Sequence, residues 1–247
     1  MILGARATMG AMVIALLLAA SANVHAKTEG QGDESDRSQT DEPRPRHEIV
    51  WTNAEAGIQG LHLRTFEANP DAVTLGVLPA DAVGPTLGVG AGVRFVFVTL
   101  GVRGRVGMFA ADAPGHTGGF QLWTLDAELG IRAPLGRFDP WLTLSGGYAT
   151  FGGLSTAVSG LQQGLDVNGV NARVAIGFDY YLNKHLSLGA SLGGELLYMT
   201  RSGISVRDLA TPQEVDTLNQ AKARLLQANG SSVGAAWSAT VGPGVHF

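Results

Sequence analysis

Ionisable residues recur in this chain at alternate positions among apolar ones. They are His62, Arg64, Arg103, Arg105, Asp126, Glu128, Arg173, Asp179 and Glu195. Arg103 and Arg105 are two apart, as are Asp126 and Glu128, and that spacing puts both members on one face of a strand. Opposite charges on neighbouring strands can form ion pairs, a gated ion path or a ligand site. They can also simply fill a narrow interior, where charges must be paired or solvated. Hydrolytic chemistry needs a nucleophile, a base and a group that orients the base. His62, His116, His185 and His246 have no serine and carboxylate at a telling spacing, so no catalytic residue and no enzyme activity are expected. No His/Asp/Glu cluster has metal-ligand spacing, and no glycine motif follows a phosphate-loop pattern. The expectation is therefore no metal and no cofactor.

The elements that position these residues have a period of two, the mark of strands. Leu87, Val89, Ala91, Val93 and Phe95 share a face, with Thr86, Gly88, Gly90, Gly92 and Arg94 opposite. Val98, Leu100, Val102, Val106 and Met108 oppose Thr99, Gly101, Arg103, Arg105 and Gly107. Trp123, Leu125, Ala127, Leu129 and Ile131 oppose Thr124, Asp126, Glu128 and Gly130. The same alternation returns over Trp141–Gly152, Val170–Leu182, His185–Thr200 and Ser232–Phe247, and a first strand is placed at Ile58–Glu67. Short connections fall near Phe95–Val98, Pro134–Phe138 and Leu182–His185. Long ones cover Ala68–Val83, Ala110–Gly118, Leu154–Asn168 and Arg201–Ser231. Antiparallel register would set Arg103 opposite Asp126 and Arg173 opposite Glu195.

The 247 residues include 35 glycines and no cysteine, only 15% are charged, and the net charge is −4. That balance and the lack of a basic patch argue against a nucleic-acid partner. Residues 1–26 read as a secretory signal: Arg6, then the apolar run Ala11–Ala20, then Val24-His25-Ala26 as the cleavage site. Residues 27–48 are rich in charge and proline and read as a disordered periplasmic linker. Residues 49–247 form the strand-rich unit. Past the signal, no stretch reads as a membrane helix, and a membrane protein without helices must be a closed barrel. One face of the strands is glycine and charge; the other is bulky and almost free of charge. A soluble barrel would bury the apolar face, whereas here that face suits lipid. Phe95, Trp123, Trp141, Tyr180, Tyr198 and Phe247 lie near strand ends, where interfacial aromatics belong. The fold expected is all-β: an eight-stranded antiparallel up-and-down transmembrane barrel in the bacterial outer membrane, with both termini in the periplasm.

Thr240, Gly242, Val245 and Phe247 fill the fixed places of a pattern that resembles the C-terminal signal of outer-membrane barrels. That resemblance implies the barrel-assembly machinery as a partner, along with outer-membrane lipids. Pro243 interrupts the pattern and cannot donate to a ladder. The layout of Ile58–Phe247 resembles the small barrels of the OmpA, OmpX and OmpW type. The strand count and the charged interior point to a barrel without a wide pore, in a structural or surface-interaction role, and the peptidoglycan-binding domain of longer relatives is expected to be absent. Two other roles stay open: a porin-like barrel that binds or moves a small, hydrophobic molecule, and a lipid-modifying enzyme. In the last long connection Thr211 and Glu214 form a capping box, and Val215, Leu218 and Leu225 follow at helical spacing. A helix of about four turns is expected there, where it could meet a small ligand or a surface partner.

Overall fold

The computed structural model describes residues 50–62, 81–111, 118–152, 167–201 and 230–247. They form the strands β1 (Val50–His62), β2 (Asp81–Phe95), β3 (Val98–Ala111), β4 (Gly118–Arg132), β5 (Phe138–Gly152), β6 (Val167–Tyr181), β7 (Leu186–Arg201) and β8 (Gly230–His246). Each strand pairs antiparallel with the next, and β8 pairs with β1, so the sheet closes into a barrel. Closure satisfies every strand edge, which an open sheet in lipid could not do. The expected all-β, eight-stranded antiparallel fold is the one observed.

Side chains follow the alternation. Leu87, Leu100, Val102, Leu125, Leu129, Leu144, Ile176, Leu192 and Val241 stand on the outside, each well exposed. Thr99, Arg103, Arg105, Asp126, Glu128, Asn171, Arg173 and Glu195 are buried inside. The barrel is thus apolar outside and, through its middle and its turn end, polar within, the reverse of a soluble barrel. Short connections join β2 to β3, β4 to β5 and β6 to β7, all at one end. The β2–β3 turn holds its chain reversal in two residues, and Val96 takes a left-handed backbone there, with φ of 56°.

The first strand starts earlier than the sequence pattern placed it, at Val50 rather than Ile58. Trp51, Asn53 and Glu55 face inward, while Ala54 and Ala56 face outward. Small outward residues give little hydropathic contrast, so the period-two signal is weak over this stretch. The rest of the expected strand, residues 63–67, lies outside the described residues. Leu61 is turned inward and buried, and His62 falls on the outward parity with Ile58.

Glycine thins the inner wall where strands approach most closely. A Cβ on Gly242 would lie 1.8 Å from the Ala54 carbonyl oxygen across the β8–β1 seam. Just beside it, Pro243 pairs with Leu188 of β7. The β1–β8 ladder skips the Ala54 and Glu55 positions and resumes at Ala56↔Val241 without a shift in register. The proline weakens the seam without making a bulge, because a bulge adds a residue to one strand.

Candidate functional site: the barrel lumen

The inward side chains sort into three layers. Nearest the turns, Arg94 Nη1 donates to Asp139 Oδ2 at 2.7 Å. Arg132 Nη1 donates to Asp179 Oδ2 at 2.6 Å and to Asp139 Oδ2 at 3.2 Å. The Tyr181 hydroxyl adds a donor to Asp139 at 3.4 Å. Arg94 also donates through Nε to the Val96 carbonyl at 3.0 Å, which ties the β2–β3 turn to this layer. His246 Nε2 and Ser187 Oγ are 2.8 Å apart and both residues are buried, with the His246 ring tilted against Tyr181.

The middle layer is built around two arginines two residues apart on β3. Arg103 Nε donates to Glu128 Oε2 at 2.8 Å, and its Nη1 lies 3.1 Å from Glu55 Oε2 and 3.2 Å from Asn53 Oδ1. The Trp51 ring stacks beneath, its centroid 6.0 Å from the guanidinium carbon. Arg105 Nη2 donates to Asp126 Oδ2 at 2.5 Å and lies 3.7 Å from Glu195 Oε2. Asn171 Nδ2 donates to Glu195 Oε1 at 2.6 Å. Arg173 donates to Ser238 Oγ at 2.9 Å. Thr240 and Ser191 share a hydrogen bond, and Thr240 donates to Glu55. Glu55 is on β1 and Arg103 on β3; Arg105 is on β3 and Glu195 on β7. Ion pairs between strands that are not neighbours show how narrow the lumen is.

The third layer, toward the long connections, is apolar. Leu61, Phe109, Phe120, Leu122, Phe151, Val167, Leu197 and Met199 pack as one cluster. The Phe109 and Phe120 rings stack with centroids 5.1 Å apart, and Phe120 meets Phe151 at 5.8 Å. Charge alone marked the lumen in the sequence, so this layer went unseen. Its signal was available: Phe109, Leu122 and Phe151 break the alternation by placing bulk on the polar face.

The expected site residues are placed as follows. Arg103 and Asp126 are direct cross-strand partners, as are Arg173 and Glu195. Their charged ends nevertheless bond elsewhere, Arg103 to Glu128 and Arg173 to Ser238. Asp179 lies in the turn-end layer with Arg132. His62 is not in the lumen; it pairs with Asp81 at the long-connection end of β1, both side chains well exposed. Trp141 is also corrected: it shares the inward parity of Asp139 and Thr143 and sits over Gly177, rather than in an outer aromatic belt. Phe95, Trp123, Tyr180, Tyr198 and Phe247 do face outward. Arg64 and the helix expected from Thr211, Glu214, Val215, Leu218 and Leu225 lie outside the described residues. Thr240 faces inward, Gly242 lies at the seam, and Phe247 is exposed, its backbone bonded to Val50. Sequence reasoning missed Glu55, Asn53, Arg132, Asp139 and Asn171 as members of the network. Among the described residues, no group of three or more His, Cys, Asp or Glu side chains could hold a metal ion.

No protein-family profile matches the chain, and no curated protein sequence matches it. Among solved structures the chain is similar to the Neisserial surface protein A, with a TM-score of 0.50 and 12% identity, over 80% of this chain and 97% of that one. It also aligns with Ail, the attachment invasion locus protein of Yersinia pestis, crystallised with the heparin analogue sucrose octasulfate. That match has a TM-score of 0.33 and 11% identity, over 81% of this chain and 99% of the other. The outer-membrane protease OmpT of Escherichia coli aligns at a TM-score of 0.34 and 6% identity, over 81% and 97%. The likeness to the Neisserial protein shows the fold alone, which is that of the small outer-membrane barrels of the OmpA and OmpX type.

Proposed function

We propose that this chain is an integral outer-membrane barrel, closed to bulk flow, with a structural or surface-interaction role exerted at its long-connection end. One observation carries the reading: the inward face is filled by three stacked layers of side chains, and the middle one is laced by ion pairs that reach across the lumen. A water-filled pore keeps its wall residues apart, whereas a small barrel has room for side chains and little else. The uncharged outer belt supports residence in lipid. The termini lie at the periplasmic end in this reading, and outer-membrane lipids and the assembly machinery are its partners. The long connections then face outward, where a ligand or another surface would be met. Purified protein in planar bilayers tests the closed lumen. The expected result is no large, stable conductance; steady openings of porin size overturn it.

A second reading has one observation in its favour. An apolar cluster, not a charged one, lies at the long-connection end, where a small hydrophobic molecule entering from that side would meet it. Native mass spectrometry of detergent-extracted protein tests it, and preparations that consistently carry no small molecule end it.

A further inference from the structure

The outward belt is not even. On the wall made by β5–β8 and β1, Val241 stands between Ala190 and Ala56 in one cross-strand row. In the next row Ala239 stands between Leu192 and Ile58. Methyl side chains at Ala56, Ala190 and Ala239 leave a groove of about 750 Å³ between bulkier neighbours, within the usual range of ligand sites. Its lining is almost wholly apolar. The groove opens toward the turns at Phe138, whose ring stacks on Phe178 with centroids 5.0 Å apart.

Two cations lie in the turns at that end of the barrel. Arg137 immediately precedes Phe138, and its carbonyl oxygen accepts from the Tyr181 amide at 2.8 Å. The β4–β5 turn therefore adjoins the β6–β7 turn, which carries Lys184. Both side chains are exposed, and neither has a carboxylate partner among the described residues. The nearby acids Asp139 and Asp179 face inward and are held by Arg94 and Arg132. An apolar trough with two uncompensated cations in the turns at the same end of the barrel has the complement of an anionic amphiphile.

We propose that this groove binds an anionic glycerophospholipid of the leaflet at the turn end. Its acyl chain lies over Ala56, Ala190 and Ala239, and its phosphate lies against Arg137 and Lys184. The inference rests on the membrane-barrel reading above. A second copy fits less well. A two-fold contact puts the same patch on both partners, so it would set the two cation pairs at one depth against each other.

The test uses the full chain in lipid nanodiscs holding equal amounts of phosphatidylglycerol and phosphatidylethanolamine, then native mass spectrometry of the released barrel. The expected result is retained phosphatidylglycerol, favoured over phosphatidylethanolamine by about tenfold, the scale of two cations near an anionic headgroup. Arg137→Gln with Lys184→Gln should remove the preference and leave the barrel inserted. Ala239→Phe should fill the groove and lower retention of both lipids. Ala56→Phe, on another strand, repeats that arm if Ala239→Phe does not fold, as judged by heat-modifiable mobility. Equal retention of the two lipids by the wild type, undiminished phosphatidylglycerol in the filled groove, or lipid-free barrel dimers each overturn the proposal. Protein that never enters the nanodiscs sinks the membrane-barrel reading instead, so the two failures are distinct.

Discussion

Arg103 lies between Glu128 on the neighbouring strand and Glu55 on β1, with Asp126 directly opposite in register. The geometry decides among these acids. Side chains on a twisted ladder reach diagonally, so Arg103 meets Glu128, and Asp126 is left to Arg105. All four groups are more than nine-tenths buried. Removing one member of a buried pair strands its partner, at a cost of about 3–5 kcal/mol in a dry site. Arg103→Ala and Glu128→Ala should each lower stability in urea, and their double mutant should fall short of the sum by about 1–3 kcal/mol. Arg103→Ala combined with Asp126→Ala should couple more weakly than that pair, because Asp126 bonds Arg105 and meets Arg103 only through space. A cycle in which Asp126, not Glu128, carries the coupling would show that the network is wired differently. The register of these residues could be read from the sequence, since turn lengths and alternation set which Cα faces which. The bonding partner could not, because it depends on how far an arginine leans and on Glu55, which comes from a strand not adjacent to its own.

At the scale of elements, the β2–β3 turn holds a local conflict. Val96 is β-branched and sits at φ of 56°, a backbone region that normally favours glycine. Such a conformation costs about 1–3 kcal/mol and persists only where the surroundings hold it. Here Arg94 Nε bonds the Val96 carbonyl, and the Arg132 amide bonds the Phe97 carbonyl at 2.7 Å. Val96→Gly should therefore raise the unfolding free energy in urea, by about 1 kcal/mol after the added flexibility of the unfolded chain is subtracted. No gain would mean that the turn carries no such strain. The element boundaries show the same mixture of what the sequence declares and what it conceals. Strands with Leu or Val on the outside declared themselves. β1 concealed its first half, because Thr52, Ala54 and Ala56 face outward and resemble a loop in hydropathy. That hidden half left Glu55 out of the network, and without it the parity of the strand was unanchored, so that His62 was assigned to the inner face although it shares the outward parity of Ile58. Trp141 was misplaced for another reason: a tryptophan near a strand end fits the outer belt by composition, and only parity with Asp139 reveals that it points inward.

For the whole molecule the decisive matter is which side of the wall meets water. Leu125 and Asp126 are neighbours at the middle of β4, on opposite faces. Leu125 is 56% exposed and Asp126 1%. In a soluble protein an exposed leucine accepts arginine with little change, usually within about 0.5 kcal/mol. In a membrane barrel the same substitution puts a charge into hydrocarbon, and near the midplane it costs about 2–4 kcal/mol. Leu125→Arg should thus destabilise the barrel by that amount when it is unfolded by urea from phospholipid vesicles, with little change in the denaturant slope. The reciprocal substitution carries a charge the other way. Arg103→Leu removes a cation from the lumen and leaves Glu128 and Glu55 without it, so it should destabilise as well. Were the faces reversed, Arg103 would be the residue in lipid, and Arg103→Leu would stabilise by a few kcal/mol while Leu125→Arg did little. The pair of signs separates an apolar exterior that meets lipid from one that meets water, and the closed lumen, the long-connection surface and the lipid groove all depend on that answer.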